Sequence, residues 1–347
     1  TFVHYVMEHT VRELCNMPDA VPEAVAAKYV NDYLENHLPP GPRSARFLAL
    51  FAEAGRMVCQ IAGNVWEEIQ AGAFRPVCFE LNFSRNHGDL PPLTLQEGGV
   101  MLSVSGKIDR VDGYIRGNTL YLKVVDYKTG KKEFRLSDVL YGLNLQMFLY
   151  LMMLKQSGPA ALDSFSGCGG VQRTEPCGAL YVPAKTPYLF REPGETDEKF
   201  QSRLDQELRR IGLVRDDGDL LEAMEHGGRF RFLPVSLKKD GSFGERSSLV
   251  SALQLNGLLH KTEETLRRIA RQISAGDIEA DPYRINWKEN ACKFCDFRAA
   301  CHFDTTMEKD CLRYLPKLEE KAVRELLEKE EEERLRRNGP EGEEEWL

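Results

Sequence analysis

Two strand-like runs joined by a short turn, "SGKIDRVDGYI" and "TLYLKVVDYKTG" around "RGN", constrain this chain more than any other stretch. Each run is apolar enough for a sheet interior, yet together they carry Asp109, Asp126 and Lys128 near their ends. Paired strands lie about 4.8 Å apart, so acids near corresponding ends can converge on one cation. Side chains two apart point the same way, which puts Asp126 and Lys128 on one face. In an internal strand unpaired acids are costly, which weighs against reading these residues as exposed ion pairs with Arg110 and Lys128.

The surrounding text alternates between periods. From Thr1 to about Gln70, apolar residues recur at helical spacing, interrupted by Pro39-Pro40-Gly41-Pro42. Near Arg75 short strand-like pieces begin, including "PVCFELNF", "LTLQ" and "VMLSV", and they read as a meander. The run "SDVLYGLNLQMFLYLMMLKQ" returns to helix with Ser137 as its expected cap, and "CGALYVPA" is a further strand after the glycine-rich loop from Gly167 to Gly170. Later stretches, "TDEKFQSRLDQELRRIG" and "SLVSALQLNGLLHKTEETLRRIARQISAG", are helical again. The expected division is a helical region at 1–75, an α/β core at 76–185, a helical support at 186–290, a cysteine site at 291–304 and a helical, acidic tail at 305–347. The opening residues read as the middle of an amphipathic helix without a start signal, so the chain is expected to be cut from something longer.

Charge and cysteine content narrow the class. The formal net charge of −8 by itself disfavours nucleic acid, but many of the acids sit in the last stretch, after Leu318. No window approaches the roughly 18 apolar residues of a membrane helix and no signal pattern opens the chain, so a cytoplasmic location is expected. Nine cysteines, an odd number, point to thiols or metal ligands rather than a disulfide framework. "TGKK" lacks the upstream glycine and following Ser or Thr of a phosphate loop, so no ATP site is expected.

Two acids and a lysine on one face have a chemical use. Mg²⁺ takes hard oxygen ligands and is commonly held by one or two carboxylates plus phosphate oxygens. Phosphodiester hydrolysis uses such a cation, and Lys128 can orient or help deprotonate the attacking water. The same ligands accept Mn²⁺. Lys123, Lys131, Lys132 and Arg135 flank the proposed site as candidate phosphate contacts, and Tyr127 and Tyr141 are candidates for base stacking. Farther on, Cys292, Cys295 and Cys301 form a C-x2-C-x5-C arrangement with three of the four ligands that zinc or a [4Fe–4S] cluster takes. Spacing alone does not separate the two.

"GKIDRVD", "VVDYKTGKK" and "LQMFLYL", in this order, resemble the nuclease motifs of the RecB family within the PD-(D/E)xK superfamily. The resemblance implies an α/β nuclease core, a mixed central sheet flanked by helices, with additional helical regions and a C-terminal cysteine-ligated site. It implies metal ligation by Asp109, Asp126, the Tyr127 backbone carbonyl and a histidine on the first helix, with His4 in the matching place and His9 the competitor. It further implies a catalytic Lys128 supported by Gln146 and Tyr150, which are four apart and share a helix face. "CGALYVPAK", "LPVSLKKDGSF" and "ISAGDIEADPY" are similar to the C-terminal region of the AddB family, whose cysteines hold an iron–sulfur staple. There the fourth cysteine lies upstream of the histidine, so this chain is expected to lack it; Cys15 and Cys311 are the substitutes, neither at the family's position. The implied activity is Mg²⁺- or Mn²⁺-dependent exonucleolytic cleavage of single-stranded or unwound DNA in double-strand-break processing, with an AddA-like helicase–nuclease as partner, in the bacterial cytoplasm. The rival readings are a catalytically silent DNA-binding scaffold, a free-standing RecB-like exonuclease and a zinc-stapled interaction domain.

Overall fold

The computed structural model describes residues 1–166, 170–185, 187, 189–245, 247–304, 306 and 312–338. Cys311, most of the expected glycine-rich loop and the acidic end at 339–347 lie outside the described residues.

Three helices come first: α1 (Phe2–Asn16), α2 (Pro22–Asp32), continued by a π-turn at Tyr33–His37, and α3 (Ala45–Gln70). Helix α3 starts where the proline run ends, with Ser44 accepting a hydrogen bond from the Phe47 N–H at 3.2 Å. Strands β1 (Arg75–Phe83), β2 (Leu93–Glu97), β3 (Val100–Val104), β4 (Gly106–Arg116) and β5 (Thr119–Lys128) follow. Next come α4 (Leu136–Leu140), α5 (Gln146–Ser166), β6 (Arg173–Pro183), α6 (Asp197–Leu208), β7 (Ile211–Arg215), α7 (Gly218–Met224), β8 (Leu249–Val250) and α8 (Ala252–Ser274). The remaining elements are β9 (Tyr283–Arg284), α9 (Arg298–Cys301), β10 (Arg313–Tyr314) and α10 (Glu320–Asn338).

Six strands form the central sheet in the order β1-β4-β5-β6-β7-β8. It is mixed, because β5–β6 and β7–β8 run parallel while the other pairs are antiparallel. The β4–β5 hairpin closes through Gly117 and Asn118, with Gly117 at φ 65° supplying the left-handed backbone that a two-residue turn demands. One face of the sheet carries α1 to α3, whose Val6, Met7, Leu14, Val58 and Val65 pack with Val125, Tyr127 and Val182. The other face carries α5 and α8, where Phe148, Leu151 and Leu258 meet Val111, Leu122 and Val124. No helix among the described residues is long and apolar enough to cross a membrane.

Four local expectations change. The pieces β2 and β3 do not join a meander; they form a separate hairpin, and β1 pairs directly with β4. The helix expected from Ser137 is two, broken where Gly142 and Asn144 adopt φ of 77° and 54°, so the ladder of i to i+4 bonds cannot run through. Arg135, not Ser137, occupies the N-cap of α4. The region expected to be helical support supplies β7 and β8 to the main sheet; "IGLVR" is too short a run for periodicity to reveal it. Helix α10, within the expected acidic tail, buries Val323, Leu327 and Glu331 and packs along α8, with Glu331 paired to His260 at 2.5 Å.

Candidate active site

The β4–β5 register pairs Arg110 with Val125, so the next residues, Asp109 and Asp126, stand opposite each other at the ends of adjacent strands. Both carboxylates are buried. Directly opposite residues of antiparallel strands share a face, and Lys128 joins them two residues beyond Asp126. Lys128 Nζ donates to Asp126 Oδ1 at 3.0 Å and lies 2.8 Å from Oδ2. Gln146, at the start of α5, accepts from Lys128 at 3.2 Å and donates to Asp126 Oδ1 at 3.1 Å and to the Tyr150 hydroxyl at 2.9 Å. One turn of α5 thus fixes both the acid and the amine.

Asp109 is fixed differently. Its Oδ2 accepts the Tyr127 backbone N–H at 2.9 Å and lies 3.5 Å from His4 Nε2. His4 Nε2 is also 3.4 Å from the Tyr127 carbonyl oxygen. His9, the competing histidine, turns to the Tyr5 carbonyl at 2.8 Å and lies tilted against the Tyr5 ring, 4.2 Å between centroids. A residue not anticipated from sequence, Glu80, joins two of those above: ligand atoms of His4, Glu80 and Asp109 all lie within 4.8 Å of one another. Glu80 sits in β1 at φ 50°, between the pairs Phe79–Arg110 and Leu81–Ile108, which sets it across from Asp109. Such a local break in the ladder is a recurring way to re-aim a side chain at a site. The one sequence signal for it is an acid inside the apolar "CFELNF".

The electrostatics suit a cation. Burial pushes the Asp109 carboxyl up to about 6, the Tyr127 N–H opposes this, and the Asp126 charge adds to it. Asp126 Oδ2 is buried without a hydrogen bond of good geometry. Carboxylate oxygens from Glu80, Asp109 and Asp126, a carbonyl oxygen and an imidazole nitrogen are the hard donors that Mg²⁺ or Mn²⁺ takes. The donor set therefore fits a divalent cation.

Behind the two strands lies a buried charge network. Arg110 donates to both oxygens of Asp112 at 2.8 and 3.0 Å and to the Tyr127 hydroxyl at 2.7 Å. Lys123 lies 3.3 Å from Asp112 and 3.5 Å from Glu68, and Arg210 donates twice to Glu68 at 3.0 and 2.7 Å. Lys123 is therefore no phosphate contact: strand alternation turns it toward α3, and only 2% of it is exposed. Tyr127, buried with its hydroxyl bonded to Arg110, cannot stack on a base. Tyr141 donates to the Pro316 carbonyl at 2.7 Å and is committed to packing the C-terminal region. Arg135 bridges Glu133 and Glu289, and Lys131 pairs with Glu133 at 3.3 Å on the surface. Of the four flanking cations, Lys132 alone turns toward the site.

The cysteine site is less organised. Cys292 is half-buried in a 3-10 turn, while Cys295 and Cys301 are exposed. Among the described residues the three sulfurs do not come within 4.8 Å of one another, and Cys15 is at the far end of α1.

Comparison with known proteins adds an independent line. A family model described as the PD-(D/E)XK nuclease superfamily matches residues 1–302. The B subunit of the ATP-dependent helicase/deoxyribonuclease of Acetivibrio thermocellus is 31% identical over 345 residues, covering 96% of this chain and 29% of that protein. The proteins of the same description from Thermoanaerobacter sp. and Clostridium acetobutylicum are 28% and 31% identical, covering 92% and 83% of this chain and 26% and 24% of theirs. The chain thus spans less than a third of the length of these relatives.

Proposed function

The chain belongs to the PD-(D/E)XK nuclease superfamily, and from that premise we propose that it hydrolyses DNA phosphodiester bonds with a divalent cation, Mg²⁺ or Mn²⁺. The observation that carries this reading is the row formed by Asp109 and Asp126 across β4 and β5, with Lys128 hydrogen-bonded to Asp126. His4, Glu80, Asp109, Asp126 and the Tyr127 carbonyl would hold the cation. When bound, it supplies positive charge against the developing charge on phosphate oxygens and favours deprotonation of water.

The chain's own residues do the rest. Lys128 Nζ, fixed between Asp126 and Gln146, orients the water whose oxygen bonds to phosphorus as the bond to the leaving oxygen breaks. Gln146 holds Asp126 and Lys128 at a set separation, and Tyr150 holds Gln146. The Tyr127 N–H keeps Asp109 turned toward the same point. Burial of both acids keeps bulk water from weakening these interactions.

In its biological setting, the reading extends to exonucleolytic cutting of an unwound strand during double-strand-break processing, as the nuclease region of a cytoplasmic bacterial helicase–nuclease with an AddA-like partner. The support for this extension is that the relatives are described as B subunits of an ATP-dependent helicase/deoxyribonuclease. The test is degradation of end-labelled single-stranded DNA with Mg²⁺ or Mn²⁺ by the chain, by Asp126→Ala and by Lys128→Ala, with EDTA as control. Metal-dependent cutting that disappears in both variants is expected. Cutting that survives either substitution would remove the site, and DNA binding without cutting by the wild type would leave a scaffold.

A further inference from the structure

Resting on that reading of the site, we infer that Lys132 binds a backbone phosphate of the DNA strand beside the phosphate being cut. Lys132 lies four residues past Lys128, between the end of β5 and α4, and its contacts place it beside the active-site end of the sheet. Its Nζ donates to Asn144 Oδ1 at 2.6 Å and lies 5.0 Å from the centroid of the Tyr181 ring. Lys128 Nζ lies 5.7 Å from the same centroid. Two amines therefore share one aromatic neighbour, and Tyr181 itself stands beside Asp126 in the β5–β6 register.

What separates Lys132 from its neighbours is that no carboxylate pairs with it directly; Asp126 and Asp138 act on it only from beyond contact and do not offset burial and Lys128. Lys128 pairs with Asp126, Lys131 with Glu133, and Arg135 with Glu133 and Glu289. Among the described residues no carboxylate lies within ion-pair distance of Lys132, although it is half-buried. Burial first and the nearby Lys128 second push its pKa below the usual lysine range. A half-buried amine left in this condition is costly unless something negative meets it.

Its placement is also built. Asn144 is held in the left-handed region at φ 54°, and its Nδ2 donates to Asp138 Oδ2 at 2.6 Å, which leaves Oδ1 to aim Lys132. The Tyr181 hydroxyl is buried with no hydrogen-bond partner among the described residues. Lysine binds phosphate as a point charge, without demanding the planar geometry that arginine does. Lys128 is already committed to Asp126 and the water position. Lys132 therefore serves an adjoining phosphate, as a substrate-contact residue and not as a participant in bond breaking.

The experiment measures binding of a labelled oligothymidylate by fluorescence anisotropy, with Ca²⁺ replacing Mg²⁺, across a salt titration, and then KM and kcat with Mg²⁺. Each lost phosphate contact on a single strand reduces the slope of log K against log salt by about 0.7. Lys132→Met is expected to show that reduction, to weaken binding and raise KM by about tenfold, and to leave kcat within about twofold. Lys132→Arg should keep the wild-type slope, and Lys131→Met, the same charge change one residue away, should leave slope and KM unaltered. Lys132→Gln repeats the test with a polar chain should methionine disturb the loop. A wild-type slope and KM in both Lys132→Met and Lys132→Gln overturns the inference, as does an equal effect of Lys131→Met. A wild type that neither binds nor cuts defeats the nuclease reading itself, whereas a cutting wild type with an unaffected Lys132→Met defeats only the phosphate contact.

Discussion

Replacing Glu68 by glutamine measures how firmly the charge network behind the site ties β4 and β5 to α3. Three cations, Arg110, Lys123 and Arg210, there face two carboxylates, Glu68 and Asp112. The formal sum is +1, and Glu68→Gln makes it +2 where Arg110 and Arg210 are fully enclosed. Arg210 loses a charged acceptor at both of its contacts with Glu68. Removing one partner of a buried pair costs roughly 3–5 kcal/mol, because the other charge stays buried and unmatched. The ionisation of the carboxyl bears on the same cost. Burial opposes its ionisation, but Arg210, Lys123 and Arg110 outweigh that and hold it at about 2, against an ordinary 4.5. Because the folded value lies below the unfolded one, this stabilisation is complete above about pH 4.5 and is lost as pH falls toward 2. The difference corresponds to about 3 kcal/mol, within that range. With a urea dependence of about 1–3 kcal/mol per molar, the unfolding midpoint of Glu68→Gln should drop by about 1–3 M at neutral pH. The gap between variant and wild type should then narrow below pH 4.5. A midpoint within about 0.3 M of wild type, or a gap that stays constant down to acid pH, would refute the argument.

Three further outcomes are expected. Gln146→Ala, which frees Asp126, Lys128 and Tyr150 from one another, should lower kcat on single-stranded DNA by about 10- to 100-fold with little change in KM; an unaltered kcat would remove its positioning role. In thermal melts, Mg²⁺ or Mn²⁺ at a hundred times its Kd should stabilise the wild type by about 2.7 kcal/mol, and Asp109→Asn should lose most of that gain; equal gains would put the cation elsewhere. Gly212→Ala should lower the melting temperature sharply, because Gly212 has φ 144° and a Cβ there would lie 2.0 Å from the Ala179 carbonyl oxygen. A variant that melts like wild type would mean β7 does not pair with β6 in this register.

Local relationships in the site are legible in the sequence, and distant ones are not. Asp109, Asp126 and Lys128 lie on two strands joined by a two-residue turn, so hairpin geometry and period-two alternation bring them together. Gln146 and Tyr150 are one helical turn apart and need only α5 to be a helix. Lys123 misleads because its environment is set by Glu68 on α3, an element that no local pattern links to β5. Alternation holds a partial warning, since Lys123 falls on the opposite face from Asp126. Arg135 misleads for the same reason, its partner Glu289 lying far along the chain. The broken helix at Gly142 is the reverse case, in which apolar periodicity masks a glycine whose left-handed backbone places Asn144 and so Lys132.

Glu80 shows why the missing part matters most for the chemistry. The pairs Phe79–Arg110 and Leu81–Ile108 bracket Glu80 and Asp109, while Arg110–Val125 leads directly to Asp109 and Asp126. Three neighbouring strands thus carry acids in one row across the sheet. Like charges directly opposite destabilise a sheet, and here burial makes the repulsion worse. The rise of the Asp109 carboxyl to about 6, driven first by burial and in part by Asp126, is one expression of that conflict. Lys128 relieves Asp126, Lys107 relieves Glu80 at 2.5 Å, and His4 approaches Asp109. None of these pairs with two acids at once, and a divalent cation, if held by these residues, would supply the missing positive charge. The register of β1 against β4 is therefore the feature that adds a third carboxylate to the proposed cation site. The β2–β3 hairpin intervenes between those strands in the chain, so the register could be read only from the folded sheet.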